Sequence, residues 1–105
     1  MQRGEVFRFK VPKGVGHEQH GERFGVIVQS DSMLPRSVIL VAPTSRSARP
    51  ASFRPEVSIA GGTTRVLVEH LGAVDAQRLG RRVGQLAADE MWAIDEALVT
   101  VLGVD

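Results

Sequence analysis

Val38-Ile39-Leu40-Val41 is the stretch on which the fold turns. Four consecutive apolar residues leave no wet face for a strand, so the segment predicts a central strand of a β-structure. Upstream of it, Ser30–Ser37 is a polar connection containing Pro35, and Phe24–Val28 is a second apolar strand led by Arg23. Further back, Glu5-Val6-Phe7-Arg8-Phe9-Lys10 alternates polar and apolar residues as a half-buried strand does, and Pro12 with the glycines at 14 and 16 ends it. Between these strands, Val11–Glu22 holds three glycines and two histidines without apolar periodicity. It reads as an exposed loop, and a loop this long in a small domain is often functional.

Downstream, Pro43-Thr44-Ser45 leads into a basic stretch with Arg46, Arg49 and Arg54 among Ser, Ala and Pro, which predicts a loop before a short strand at Glu56–Ile59. Gly61-Gly62 marks a turn, and Arg65–Leu71 and Arg82–Leu86 read as the remaining strands. Met91, Ile94, Leu98 and Val101/Leu102 then recur at helical spacing, with Gly103 placed as a C-terminal stop. Short strands followed by one terminal helix predict an α+β fold: a small, strongly bent SH3-like β-barrel of five to seven strands with a C-terminal α-helix packed on it.

Composition bounds the function classes. The chain has 105 residues, 43% of them hydrophobic, which suits one domain over residues 1–105. No apolar run approaches the roughly 18 residues needed to span a bilayer, and the N-terminus Met1-Gln2-Arg3-Gly4-Glu5 lacks the apolar stretch of a secretory signal. A cytoplasmic location without membrane association is therefore expected. There is no cysteine, and His17, His20 and His70 lack a convincing set of further ligands, so neither a metal nor another cofactor is expected. Net charge is only +1, yet residues 1–54 carry nine Lys/Arg against four Asp/Glu and residues 55–105 carry four against eight. The halves stand at +5 and −4. Cations are thus concentrated in the half that holds the candidate motifs, although charge asymmetry alone does not select a partner.

Three N-terminal blocks, Arg3-Gly4-Glu5-Val6, the segment Glu18–Arg23 leading into Gly25-Val26-Ile27-Val28-Gln29-Ser30, and Val38-Ile39-Leu40-Val41-Ala42-Pro43-Thr44-Ser45, resemble those of MazF/PemK toxins. Val83-Gly84-Gln85-Leu86, Met91, Ile94-Asp95-Glu96-Ala97-Leu98 and Leu102-Gly103-Val104 are similar to that family's last strand and helix. The motifs are individually weak and become specific through their order along nearly the whole chain. The resemblance implies a barrel like that of the DNA-gyrase poison CcdB, a homodimer, metal-independent cleavage of single-stranded RNA, and a cognate antitoxin with an acidic, disordered C-terminal segment.

In that family, the arginine that starts strand two and the threonine that ends strand three form the principal catalytic pair, which places the roles on Arg23 and Thr44. Metal-free cleavage uses the ribose 2′-hydroxyl as nucleophile. The protein must take its proton, protonate the departing 5′-oxygen and stabilise charge on phosphorus. A guanidinium offers planar paired donors and stays charged, as the charge-stabilising task requires. Glu18 sits where some members carry an acidic residue and either accepts the 2′-hydroxyl proton or orients Arg23. His17 and His20 flank it, and imidazole titrates at about 6.5, so they either shuttle a proton, or face solvent or contact substrate bases.

Departures from the family pattern fall within the same region. Phe24 replaces the usual proline, restoring a backbone N–H and adding a ring that either stacks on a base or fills the core. A family run resembling Asp-Gln-Leu/Ile-Arg-Ser/Thr reads here Glu69-His70-Leu71-Gly72-Ala73, so no recognition sequence transfers. Ser45, Glu69 and His70 remain candidate substrate contacts. Arg46, Arg49 and Arg54 either track the phosphate backbone or keep a loop solvated. Two other classes compete: a gyrase poison on the same fold, which needs no Arg/Thr pair, and a non-enzymatic small barrel that binds peptide or nucleic acid. A direct nuclease assay separates them.

Overall fold

The computed structural model describes residues 1–9 and 23–104. Among these residues the chain forms strands β1 (Glu5–Phe9), β2 (Arg23–Ile27), β3 (Val38–Ser45), β4 (Glu56–Ile59), β5 (Gly62–Val66), β6 (Gly72–Asp75) and β7 (Leu79–Gln85), followed by helix α1 (Ala88–Leu102). The strands make one antiparallel sheet in the order β4-β5-β3-β2-β1-β7, with β6 also paired to β3. This is the expected α+β arrangement of a curled sheet carrying one C-terminal helix.

Strand β3 organises the sheet because its eight residues serve three neighbours. Val38–Val41 pair with β6, Val41–Pro43 with β2, and Thr44–Ser45 with β5. Pro43 is tolerated within it because pairing with β5 begins only at Thr44, while the Pro43 carbonyl still accepts the Leu67 N–H at 2.8 Å.

Side chains alternate across the sheet and build two cores. Val6, Phe24, Val26, Ala42, Val57, Ile59, Val66 and Leu86 form the larger one, into which α1 inserts Ile94 and Ala97. The opposite face holds Ile27, Ile39, Val41 and Val74, with Phe7, Phe9 and Leu79 packed against them. Burying such an aliphatic side chain contributes ~1.5–3 kcal/mol. One sequence expectation is corrected here. The central position of Val38–Val41 holds, but the segment does have an open face: Val38 and Leu40 are 51% and 40% exposed, while Ala42 on the same face is buried in the core that α1 enters.

The second half also departs from the sequence reading. Arg65–Leu71 is not one strand, since β5 ends at Val66 and Val68–His70 is a 3-10 turn beginning at Leu67, whose N–H is drawn to Pro43. Gly72–Asp75 then forms an additional strand, and the last strand starts at Leu79 rather than at residue 82. The helix behaves as its spacing predicts. Its first turn is fixed by Glu90, whose carboxylate accepts the N–H of Ala87 at 2.9 Å and that of Ser58 at 2.8 Å. Gly103 ends it in the left-handed conformation, φ +67°, donating to the Val99 carbonyl at 2.8 Å.

Glu5 ties β1 to its neighbour, the edge strand β7. Its buried carboxylate accepts from Arg82 Nε of β7 and from the Gln2 N–H. Burial alone pushes the Glu5 carboxyl up; the Arg82 and Gln2 hydrogen bonds, with the positive charges of Arg82 and the N-terminus, outweigh it and hold the group below its ordinary value of 4.5. A lowered folded-state pKa contributes stability that is present above 4.5 and lost as pH falls through the lower folded value. Glu5→Gln should therefore lower the urea midpoint at pH 7, and its deficit relative to wild type should shrink as pH falls below 4.5, which unfolding curves across an acid pH series check.

Candidate active site

Strands β2 and β3 stay in register to Gly25↔Pro43, and there the regular ladder stops. The next residues in line are Phe24 and Thr44. In place of a backbone rung, the Phe24 N–H donates to the Thr44 hydroxyl oxygen at 3.2 Å, and from Thr44 onward β3 pairs with Val66 and Arg65 of β5. The two strands therefore part at this clamp. Arg23, the half-buried first residue of β2, lies one position beyond it. Arg23 and Thr44 are thus brought to the same strand end, with Thr44 only 2% exposed.

Of the other sequence candidates, Ser45 is buried next to Thr44, its hydroxyl 3.3 Å from that of Ser47. Arg46 is exposed and runs across the β4–β5 turn, where its Nη2 would lie 3.1 Å from a Cβ placed on Gly62. Arg49 is exposed, and its carbonyl accepts Nη1 of Arg54 at 3.2 Å. Glu69 and His70 sit on the 3-10 turn that the Leu67–Pro43 bond anchors beside Thr44. Arg54 donates to Glu69 Oε2 at 2.6 Å and its guanidinium lies 5.5 Å from the centre of the Phe53 ring. Glu69 Oε1 is buried with no hydrogen-bond partner among the described residues. His70 remains 60% exposed, its Nε2 3.9 Å from Glu69 Oε2. Glu18, His17 and His20 lie outside the described residues. No group of three or more His, Cys, Asp or Glu among the described residues could hold a metal ion, and no described helix is long and apolar enough to cross a membrane.

Comparison with known proteins gives this strand end its context. The family model for PemK-like, MazF-like toxins of type II toxin–antitoxin systems matches residues 2–102. The chain is 39% identical over 104 residues to a candidate toxin of Mycobacterium tuberculosis, with 97% of each chain covered. It is 32% identical over 111 residues to the endoribonuclease MazF9 of the same organism, covering 93% of this chain and 92% of the relative. This protein belongs to the PemK-like, MazF-like toxin family. Its fold is also that of a solved endoribonuclease in complex with its cognate antitoxin from mycobacterial species, with a TM-score of 0.82 at 20% identity over 100% of this chain and 97% of that one.

Within this MazF-like toxin the structure decides two points that the sequence left open. Phe24 packs in the larger core at 7% exposure and so is removed from the set of base-stacking candidates, while the N–H gained by replacing proline holds Thr44. Arg54 is paired with Glu69 and lies over the Phe53 ring, an anchoring of the basic loop that neither sequence alternative included. The sequence reading passed over that pairing because 15 positions separate its partners. It also passed over Arg78, which ends a 3-10 turn and stacks on Phe9. The Asp75 carboxylate capping the Gln77 N–H at 2.8 Å is the local signal that marks this turn.

The clamp sets a stability prediction for the toxin. Thr44→Val removes the acceptor and leaves the buried Phe24 N–H unpaired, at a cost of about 1–3 kcal/mol, whereas Thr44→Ser retains the hydroxyl and should lose less. Urea unfolding followed by far-ultraviolet circular dichroism should rank the three proteins wild type, Ser, Val.

Proposed function

We propose that this MazF-like toxin is an endoribonuclease that cuts single-stranded RNA without a metal, using Arg23 and Thr44 on a single domain spanning residues 1–105. The observation that supports the reading is the clamp at the end of β2 and β3, where the N–H of Phe24, the residue after Arg23, donates to the Thr44 hydroxyl in a chain 32% identical to an endoribonuclease. A gyrase poison or a simple binding barrel has no need of that pair.

The chemistry follows from the side chains. The 2′-hydroxyl oxygen attacks the adjacent phosphorus, the new P–O2′ bond forms as the P–O5′ bond breaks, and the products end in a 2′,3′-cyclic phosphate and a 5′-hydroxyl. Charge builds on the non-bridging oxygens in the transition state. Arg23 presents two in-plane donors to those oxygens. Thr44 accepts the Phe24 N–H with its oxygen, which leaves its own hydrogen to donate to a non-bridging oxygen. Proton transfer to and from the ribose and leaving oxygens is assigned to Glu18, His17 and His20. The exposed guanidinium groups of Arg46 and Arg49 suit backbone phosphates; Ser45, Glu69 and His70 border the strand end as candidate base contacts.

The partners proposed are RNA in the cytoplasm, a second copy of the chain, and a cognate antitoxin. Exposed Val38 and Leu40 give a twofold interface apolar surface to bury. The +5 N-terminal half suits an acidic antitoxin segment that folds on binding.

The test is kinetic. Arg23→Ala should slow cleavage of a long RNA by about a hundred- to a thousand-fold, or ~3–4 kcal/mol, with circular dichroism unchanged. Arg23→Lys should rescue poorly because an ammonium lacks the paired planar donors. Wild-type cleavage by the alanine variant would remove Arg23 from the mechanism.

A further inference from the structure

Helix α1 turns two faces to two environments. Ile94 and Ala97 enter the larger core at 0% and 1% exposure, with Met91, Leu98 and Val101 packed beside them. On the opposite side Asp89, Trp92, Glu96 and Val99 follow one another at the three- and four-residue spacing of a single ridge. Trp92 stands within that ridge at 66% exposure and is the chain's single tryptophan. The helix carries four carboxylates and no Lys, Arg or His. The fold uses two of them: Glu90 accepts the N–H groups of Ala87 and Ser58, and Asp95 pairs with Arg3 at 2.7 Å. Asp89 and Glu96, on either side of Trp92, are exposed and have no side-chain hydrogen bond or ion pair among the described residues.

We propose that this ridge of α1 docks a basic helical segment of another protein, which lays one cation on the Trp92 indole between two others paired with Asp89 and Glu96. The proposal does not depend on the ribonuclease reading. Of the aromatic side chains, an indole attracts a cation most strongly. Tryptophan is also a residue type in which binding energy concentrates at protein interfaces. Asp89 and Glu96 lie seven positions apart, about 10.5 Å along the helix axis. Cations at the same spacing on a partner helix therefore meet both carboxylates while a third, one turn along, reaches the ring. Charge selects this occupant over the others. RNA or an acidic antitoxin segment is repelled by the ridge, and the C-terminal half, at −4, adds to the repulsion. A twofold contact between two copies of this face would set one acidic stripe against another.

The probe is an alanine-based helical peptide of about 20 residues with arginines at i, i+4 and i+7 on one face, compared with its counterpart carrying glutamates there. Because the chain has one tryptophan and no tyrosine, the emission of the full-length protein reports the ridge directly. The arginine peptide should change that emission with a dissociation constant below about 1 mM and should bind more weakly as salt rises. The glutamate peptide should not bind. Asp89→Asn combined with Glu96→Gln should weaken binding about five- to tenfold, as expected for two exposed ion pairs. Glu56→Gln, which removes an exposed carboxylate of β4, should leave it unchanged. Trp92→Ala, followed by calorimetry, should weaken it about fivefold. No response to the arginine peptide overturns the proposal, and so does an equal loss from Glu56→Gln, which would reduce the binding to general attraction by negative charge. An emission change produced by RNA, or by raising the protein concentration alone, in place of the peptide would give the face to those occupants and overturn it too. Circular dichroism checks each variant, and the charge-neutralising pair decides if Trp92→Ala does not fold. None of these measurements reads RNA cleavage, so a failed ribonuclease reading and a failed docking surface are told apart.

Discussion

The hydrogen bond from the Phe24 N–H to the Thr44 hydroxyl is the point on which the rest of the candidate site depends. It stands where the β2–β3 ladder ends and β3 transfers to β5. A backbone rung there would have kept the two strands zipped. A side-chain acceptor instead lets them separate while leaving no buried N–H unpaired, which a folded core penalises. The same atom that resolves a backbone-pairing problem is the hydroxyl assigned to the chemistry.

Packing holds that junction rigid from both sides. Phe24 is set in the core closed by Ile94 and Ala97 of α1, and Gly25 lets the Phe9 ring and Val41 approach β2 on the opposite face. A Cβ on Gly25 would sit 2.6 Å from Val41 Cγ1, closer than packed atoms approach. The absence of a side chain at that position is therefore what allows two layers to meet beside Arg23. Below Thr44, the Leu67–Pro43 bond launches the turn carrying Glu69, and the Arg54–Glu69 pair fastens the basic loop to it. The site lies where β2 and β3 part, and its electrostatics follow from which arginines the fold pairs internally. Arg54 and Arg82 serve carboxylates, while Arg46 and Arg49 stay exposed.

Local patterns carried the fold where local physics governed it. Alternation in Glu5–Phe9 and helical spacing ending at Gly103 were legible because strand pleat and helix periodicity are properties of neighbouring residues. Val38–Val41 was legible as a central strand, but its open face was not, because coverage depends on which distant elements pack over each position. Arg65–Leu71 was misread as a single strand because the kink at Leu67 is set by Pro43, 24 positions away along the chain. The candidate pair Arg23 and Thr44 was legible through family resemblance, not through any spacing rule. Its clamp, the burial of Phe24, and the stacking of Arg78 on Phe9 are products of strand register, which the sequence does not display.

The central claim is that the junction at Arg23 and Thr44 performs metal-free transesterification of RNA. Its most direct test is the chemistry of the ends produced from a long single-stranded RNA by purified protein in excess EDTA. The account predicts cleavage that leaves 5′-hydroxyl and 2′,3′-cyclic phosphate termini and that stops when the cut nucleotide carries 2′-deoxyribose. Ends bearing a 5′-phosphate, or cleavage that persists at the 2′-deoxy site, would contradict it.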